Sequence, residues 1–339
     1  MSTRTALLAP VLFAVAACAA SRPAAQPATS ATSAPEPGHA PELAVGVRAL
    51  DAGDYEGARA SFEAAAKAVP RDAMALWDLG QACEKLGDGA AALAAYRAEL
   101  EVEPDADQAT AEIADLYVVD GRVDDALAIA TRGLARRPGS AALHAALGHA
   151  LATRGDRDAA MKQFEQSIQI EPTSAMRHFT FAVWLNKWHV RGAAFYLDRA
   201  LALVHDDYPM TVSIGHEYRL AGVFDSCVST FDAAIKSKDR GEPRTERALC
   251  KLGLRDEAGA FADLKGAVAA EPTYPQAHFF LAGRLAVAKR YREAAAEYQA
   301  YLQLAPDGSL ADQATRRLRA AQDAAASERD AVAARPRTK

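Results

Sequence analysis

The stretch Leu76–Asp105, LWDLGQACEKLGDGAAALAAYRAELEVEPD, alternates apolar and polar positions with a helical period on both sides of Gly87-Asp88-Gly89. It predicts a first helix, a tight turn and a second helix that stops before Pro104, because proline cannot continue the hydrogen-bond ladder. Gly80 and Ala92 are small enough to let the two helices approach closely, and Leu79 and Tyr96 fill the space beside them.

The same hairpin recurs. Pro70, Pro104, Pro138 and Pro172 are each 34 residues apart, with Ala58, Ala92, Ala126 and Ala160 twelve positions ahead of them. Gly46, Gly80 and Gly148 keep the step, with Ala114 in the remaining place. Farther on it slips: Ala193, Leu197 and Ala200 sit one place early, so a residue has been lost in the fifth unit. The sixth unit keeps Gly215, Gly222, Phe224, Phe231 and Ala234. The seventh keeps Ala260, Leu264, Ala267 and Pro272 but predicts a short or shifted first helix, and the eighth, with Leu281, Ala294, Tyr298 and Pro306, is regular.

A 34-residue period with small residues and proline at these places resembles the tetratricopeptide repeat. The resemblance implies an all-α, right-handed α-solenoid of about eight helix-turn-helix repeats over residues 39–308. A polar-faced helix at 309–327 would cap the last repeat, which otherwise leaves an apolar face open, and 328–339 are expected to be a disordered tail.

The start of the chain has a different texture. Arg4 precedes an apolar run, Ala6–Ala17, that is shorter than the roughly 20 residues a spanning helix needs, so residues 1–17 read as an export signal. Val15-Ala16-Ala17-Cys18 resembles a bacterial lipobox, which implies cleavage before Cys18 and acylation of that cysteine. An ordinary secretory signal with an Ala-x-Ala cleavage site is the competing reading. Ala19 after the cysteine implies, by resemblance to enterobacterial lipoproteins, sorting to the outer membrane. Residues 18–38, rich in Ala, Pro, Ser and Thr, form a tether with an average reach of roughly 25–30 Å.

The net charge of −5 becomes −6 once Arg4 is removed with the signal, and no basic stripe is present, so nucleic acid is not an expected partner. No HExxH, GxSxG or Walker-type loop occurs; the GxG at Gly87–Gly89 lies in an interhelical turn and has Ala92 where a third glycine would stand. Acidic pairs such as Asp124-Asp125 suit helix starts. No two histidines stand at i, i+4 on one helix, so no metal site is expected. The chain is therefore read as non-enzymatic, with no cofactor and no small-molecule substrate.

In tetratricopeptide proteins the first helix of each repeat, helix A, lines a concave wall through its positions 2, 5, 9 and 12. Carried onto this chain, the resemblance implies a groove lined by Trp77, Gln81, Glu84, Gln108, Asp115, His149, Phe179, Asn186, His216, Arg219, Gln276 and Phe279. Mixed polarity with aromatic anchors suits an extended peptide or a partner helix. The terminal-carboxylate clamp of chaperone-binding relatives needs several asparagines, and Asn186 is the only one in the chain. Trp184 and Trp188, four apart, either fill the gap left by the shortened fifth repeat or form a contact patch. By the same resemblance, Cys227 and Cys250 fall on neighbouring helices, where a disulfide and two buried free thiols are both open.

Together these readings give a membrane-anchored periplasmic scaffold that binds protein or peptide partners in envelope assembly, of the pilus, secretion-channel or outer-membrane-protein type. An accessory subunit of an envelope enzyme such as a peptidoglycan hydrolase, or a soluble scaffold without lipid, are the alternatives.

Overall fold

A computed structural model describes residues 40–333, and the signal, Cys18 and the tether lie outside the described residues. The chain divides into two units at Trp188/His189, in the turn of the fifth hairpin. The described residues hold seventeen helices and no strand.

The first unit contains α1 (Pro41–Asp51), α2 (Tyr55–Ala68), α3 (Ala73–Lys85), α4 (Gly89–Val102), α5 (Asp107–Val119), α6 (Val123–Arg136), α7 (Ala141–Arg154), α8 (Arg157–Ile170) and α9 (Ala175–Lys187). Helices α1, α3, α5 and α7 are A helices, each followed by its partner B helix, and α9 is the A helix of the fifth repeat. Within a hairpin A packs on B, and each B helix packs on the next A helix.

The hairpins close tightly because A contributes a glycine where B contributes a ring. A Cβ on Gly46 would come within 2.5 Å of the Phe62 ring, and one on Gly148 within 2.8 Å of Phe164; Gly80 meets Tyr96 in the same way. Ala58, Ala92, Ala126 and Ala160 on the B helices are wholly buried, so a larger side chain there would force the helices apart.

Helix ends follow local chemistry. Asp54, Asp72 and Asp88 accept hydrogen bonds from backbone N–H groups of the first turns of α2, α3 and α4, and Ser140 and Ser174 do so for α7 and α9. Helices α2, α4, α6 and α8 end two residues before Pro70, Pro104, Pro138 and Pro172. The intervening Val69, Glu103, Arg137 and Glu171 leave the helical region, as a residue preceding proline tends to.

The second unit contains α10 (Ala193–Leu203), α11 (Tyr208–Leu220), α12 (Phe224–Ser237), α13 (Gly241–Gly253), α14 (Glu257–Ala270), α15 (Pro275–Val287), α16 (Tyr291–Leu304) and α17 (Ala311–Ala333). Here α11, α13 and α15 are A helices. Gly215 of α11 faces the Phe231 ring of α12, repeating the glycine–aromatic contact. The A helix of the seventh repeat, α13, is not short: at 13 residues it matches α11 and α15. Pro243 fits its first turn, where an N–H has no intrahelical acceptor. The missing residue is taken from the connection, three residues at 238–240 against four at 171–174.

Helix α17 packs on α16 and buries Ala314 beside Phe279, Ala282, Tyr298 and Tyr301, closing the last repeat. It runs to Ala333 and so past the expected end at 327, because Glu328–Ala333 contains no glycine or proline to stop it.

One backbone feature marks every hairpin. The residue that ends the A–B turn is left-handed at Gly53, Gly87, Gly121 and Gly155 in the first unit, and at His189, Gly222, Arg255 and Lys289 in the second. Three side chains thus occupy a conformation that glycine adopts more readily.

Candidate functional site

In the first unit the row at A-helix position 9 runs Gln81, Asp115, His149, one residue from each of α3, α5 and α7. Asp115 Oδ1 and His149 Nδ1 are 2.9 Å apart, with Nδ1 placed to donate, and the imidazole also packs edge-on against Phe164. Glu84, one turn beyond Gln81, accepts a 3.0 Å hydrogen bond from the Tyr96 hydroxyl. Trp77, one turn before Gln81, is half-buried and lies 5.2 Å from the Tyr96 ring. Gln108, on the first turn of α5, is half-buried.

Glu112 stands one residue beyond position 5 of α5, next to the expected groove positions in sequence. Its sequence signal is a carboxylate inside the apolar run of Ala109–Val118, which the expected groove positions pass over. It is 8 % exposed. Burial drives its carboxyl well above the usual carboxylate range, and the charges of Glu84 and Asp115 push the same way. Glu84 is pushed up to about 7 by burial, against the pull of the Tyr96 hydrogen bond and with Asp115 adding to the rise. Behind them Glu99 of α4 is pushed up to about 8 by burial and by Glu103 and Asp78.

Other expected groove residues are placed differently. Phe179 is 3 % exposed, so it is part of the interior and offers no anchor. Asn186 is half-buried on the last turn of α9. Trp184 is 5 % exposed and stacks at 5.3 Å on the half-buried Trp188, so Trp184 is a packing residue.

In the second unit, Arg219 donates to Glu246 at 2.8 Å, while His216 Nε2 stands 3.7 Å from the same carboxylate. Gln276 is exposed. Phe279 must be corrected: it is 3 % exposed, surrounded by Phe280, Tyr298 and Tyr301, with the Arg317 guanidinium of α17 5.2 Å above its ring. In the last repeat the capping helix takes the place a partner would need. Cys227 of α12 and Cys250 of α13 are joined as a disulfide, with Cα atoms 6.1 Å apart, and Cys83 is a free buried thiol. No group of three or more metal-ligating side chains forms among the described residues.

Two models of the tetratricopeptide repeat match the chain, over residues 43–109 and 118–179. The chain carries tetratricopeptide repeats. A curated relative, BBSome complex member bbs-4 of Caenorhabditis elegans, is 26% identical over 102 residues, which are 30% of this chain and 22% of that protein. Among solved structures, the Cut9–Hcn1 hetero-tetramer of the APC/C aligns with a TM-score of 0.52 at 12% identity, covering 83% of this chain and 55% of that one. Yeast Tom70 aligns with a TM-score of 0.52 at 15% identity, covering 85% of this chain and 64% of that one. These structural likenesses are of fold. The chain spans only part of each of these proteins, and a tetratricopeptide scaffold is suited to protein–protein interaction.

Proposed function

We propose that this chain is a non-enzymatic scaffold of a bacterial cell envelope, lipid-anchored through Cys18 to the periplasmic side of the outer membrane. Its repeats hold protein or peptide partners during assembly of an envelope complex. The observation that carries the binding role is the A-helix face of the first unit, where Trp77, Glu84 and Asp115 stay partly accessible beside a row of polar groups. Such a face offers hydrogen bonds and an aromatic platform without an assembled catalytic group. The anchoring role rests on the sequence Val15–Cys18 and the polar tether after it.

One experiment addresses both parts. Wild-type protein and Cys18→Ser are expressed in a bacterial host with the envelope-export machinery, then fractionated, weighed intact and photo-crosslinked from position 108. The proposal expects an acylated mass beginning at Cys18, release of the variant from membranes and a crosslinked envelope protein. A mass beginning after an Ala-x-Ala site would replace the anchored scaffold by a soluble periplasmic one. A mass retaining residues 1–17 would end the envelope reading.

A further inference from the structure

In the first four repeats and the sixth, the residue that ends the A–B turn is glycine; in the seventh and eighth it is Arg255 and Lys289, at φ 62° and 58°. Left-handed backbone costs stability for a residue with a Cβ, and such positions concentrate where a side chain serves a function. Both side chains are exposed, and among the described residues neither forms an ion pair. The acids beside them are already engaged. Asp256 accepts from the Gly259 N–H, Glu257 from Arg284 at 2.8 Å and Glu293 from Arg290 at 2.6 Å.

The same edge exposes apolar side chains. The A helices α11, α13 and α15 lie side by side and run the same way, so their C-terminal ends share one edge of the second unit. There Leu220 is 61% exposed, Leu254 42% and Val287 69%, one at each successive A–B turn. At the eighth turn the edge opens into a cleft of about 400 Å³ between the start of α16 and α17. Lys289, Arg290, Arg292 and Arg329 line it against two acids, Glu293 and Glu328, and Glu293 is held by Arg290. Arg329 keeps a loose pair with Asp330 at 3.6 Å, and the exposed Arg292 forms none among the described residues. In a chain of net charge −5 this is a local excess of positive charge.

We infer that the A–B turn edge of the seventh and eighth repeats rests on an anionic lipid surface, with Leu254 and Val287 entering beneath the headgroups, Arg255 and Lys289 pairing with their phosphates, and the cleft taking one headgroup phosphate. Free cations select an anionic surface, and apolar tips on the same edge select one with an apolar layer under its charge. An acidic protein would supply the charge. Single apolar side chains set one per turn, about a helix diameter apart, give such a partner no continuous patch to pack on, whereas a bilayer receives each of them independently. This contact is separate from the Cys18 anchor of the proposed function, so either can fail alone.

The test uses the full mature chain with Cys18→Ser, which carries no acyl group, and measures co-sedimentation with vesicles of mixed phosphatidylglycerol and phosphatidylcholine or of phosphatidylcholine alone. Binding to the anionic vesicles is expected to be at least about tenfold tighter and to weaken as salt rises. Arg255→Gly, Lys289→Gly and Arg292→Ala should each weaken it about fivefold, and Val287→Ser by a similar factor. The two glycine variants relieve left-handed backbone, so their melting temperatures should not fall; a purely structural role would not lower binding while sparing stability. Lys162→Glu on α8, an exposed cation of the first unit, should change nothing. Equal binding to both kinds of vesicle, or unaltered binding by the double variant Lys289→Gly with Arg292→Ala, overturns the proposal. Release of the chain from vesicles by inorganic phosphate at constant ionic strength overturns the lipid and reassigns the cleft to a free anion. An oligoglutamate peptide that binds as tightly as the anionic vesicles and competes with them also overturns it, and reassigns the edge to an acidic partner. None of these results bears on acylation, which the intact mass of the wild-type chain decides.

Discussion

In the first unit Glu99 and Glu112 are buried, an oxygen of Glu99 has no hydrogen-bond partner, and the half-buried Glu84 accepts from the neutral Tyr96 hydroxyl. In the second unit Asp263, 4 % exposed, receives two hydrogen bonds from Arg247 and an ion pair from Lys251, and Glu246 accepts from Arg219. A disulfide ties α12 to α13 in that second unit, whereas the cysteine of the first unit, Cys83, is free. The same helical hairpins therefore serve two ends. The second unit matches its buried charges internally, as structural networks do, whereas in the first burial pushes the carboxyls of Glu84, Glu99 and Glu112 toward the protonated form.

The contrast can be broken most severely at Asp263. Asp263→Ala removes the shared carboxylate of Arg247 and Lys251, leaving Arg247 paired with Asp232, and is expected to cost about 3 kcal/mol, measured by urea unfolding of the full chain. Replacing both Cys227 and Cys250 by alanine opens a cross-link across 23 residues and should cost about 3 kcal/mol under oxidising conditions, and nothing in excess reductant. Loss of stability from Cys83→Ala that depended on reductant would contradict the assignment of Cys83 as free.

The acids of the first unit predict a pH effect of opposite sense to the common carboxylate case. Glu99 titrates at about 8 in the folded chain against an ordinary 4.5, so the folded form binds the proton more tightly. Stability then falls as pH rises from 4.5 to about 8, and is highest on the acid side of that window. Hydrogen exchange of α3–α5 should accelerate between pH 5 and 8 beyond the intrinsic base-catalysed rise. Glu99→Gln should remove the excess, while exchange in α13 and α14 keeps its ordinary dependence. The smallest effect belongs to the left-handed turns: Arg255→Gly and Lys289→Gly should each stabilise by about 0.5 kcal/mol, relief of left-handed strain being partly offset by the freer unfolded chain. Thermal melts of the two variants would measure it.

Much of this fold is legible in the sequence because its strongest constraints are steric and periodic. Gly46, Gly80, Gly148 and Gly215 mark where helices touch, and the prolines mark where they stop. The left-handed turn is less legible where His189, Arg255 and Lys289 replace glycine, since the hairpin imposes the conformation on residues that do not ask for it. The candidate site was half visible. Gln81, Glu84, Asp115 and His149 follow from their places in the repeat, whereas Glu112 lies one residue off that set and was passed over. Phe279 occupies a groove position yet lies under α17, because a pattern that describes one repeat contains no term for what caps the last.

The single-residue losses at the fifth turn and at 238–240 leave Ala193, Cys227 and Ala260 buried in their equivalent places. A deletion inside a helix would instead turn every later side chain by about 100° and carry groove residues to the far side. The connections are therefore this protein's editable joints. A protease site or a spectroscopic label inserted at 238–240 would leave the faces of the flanking helices in register, so the array can be instrumented between repeats without disturbing what any repeat presents.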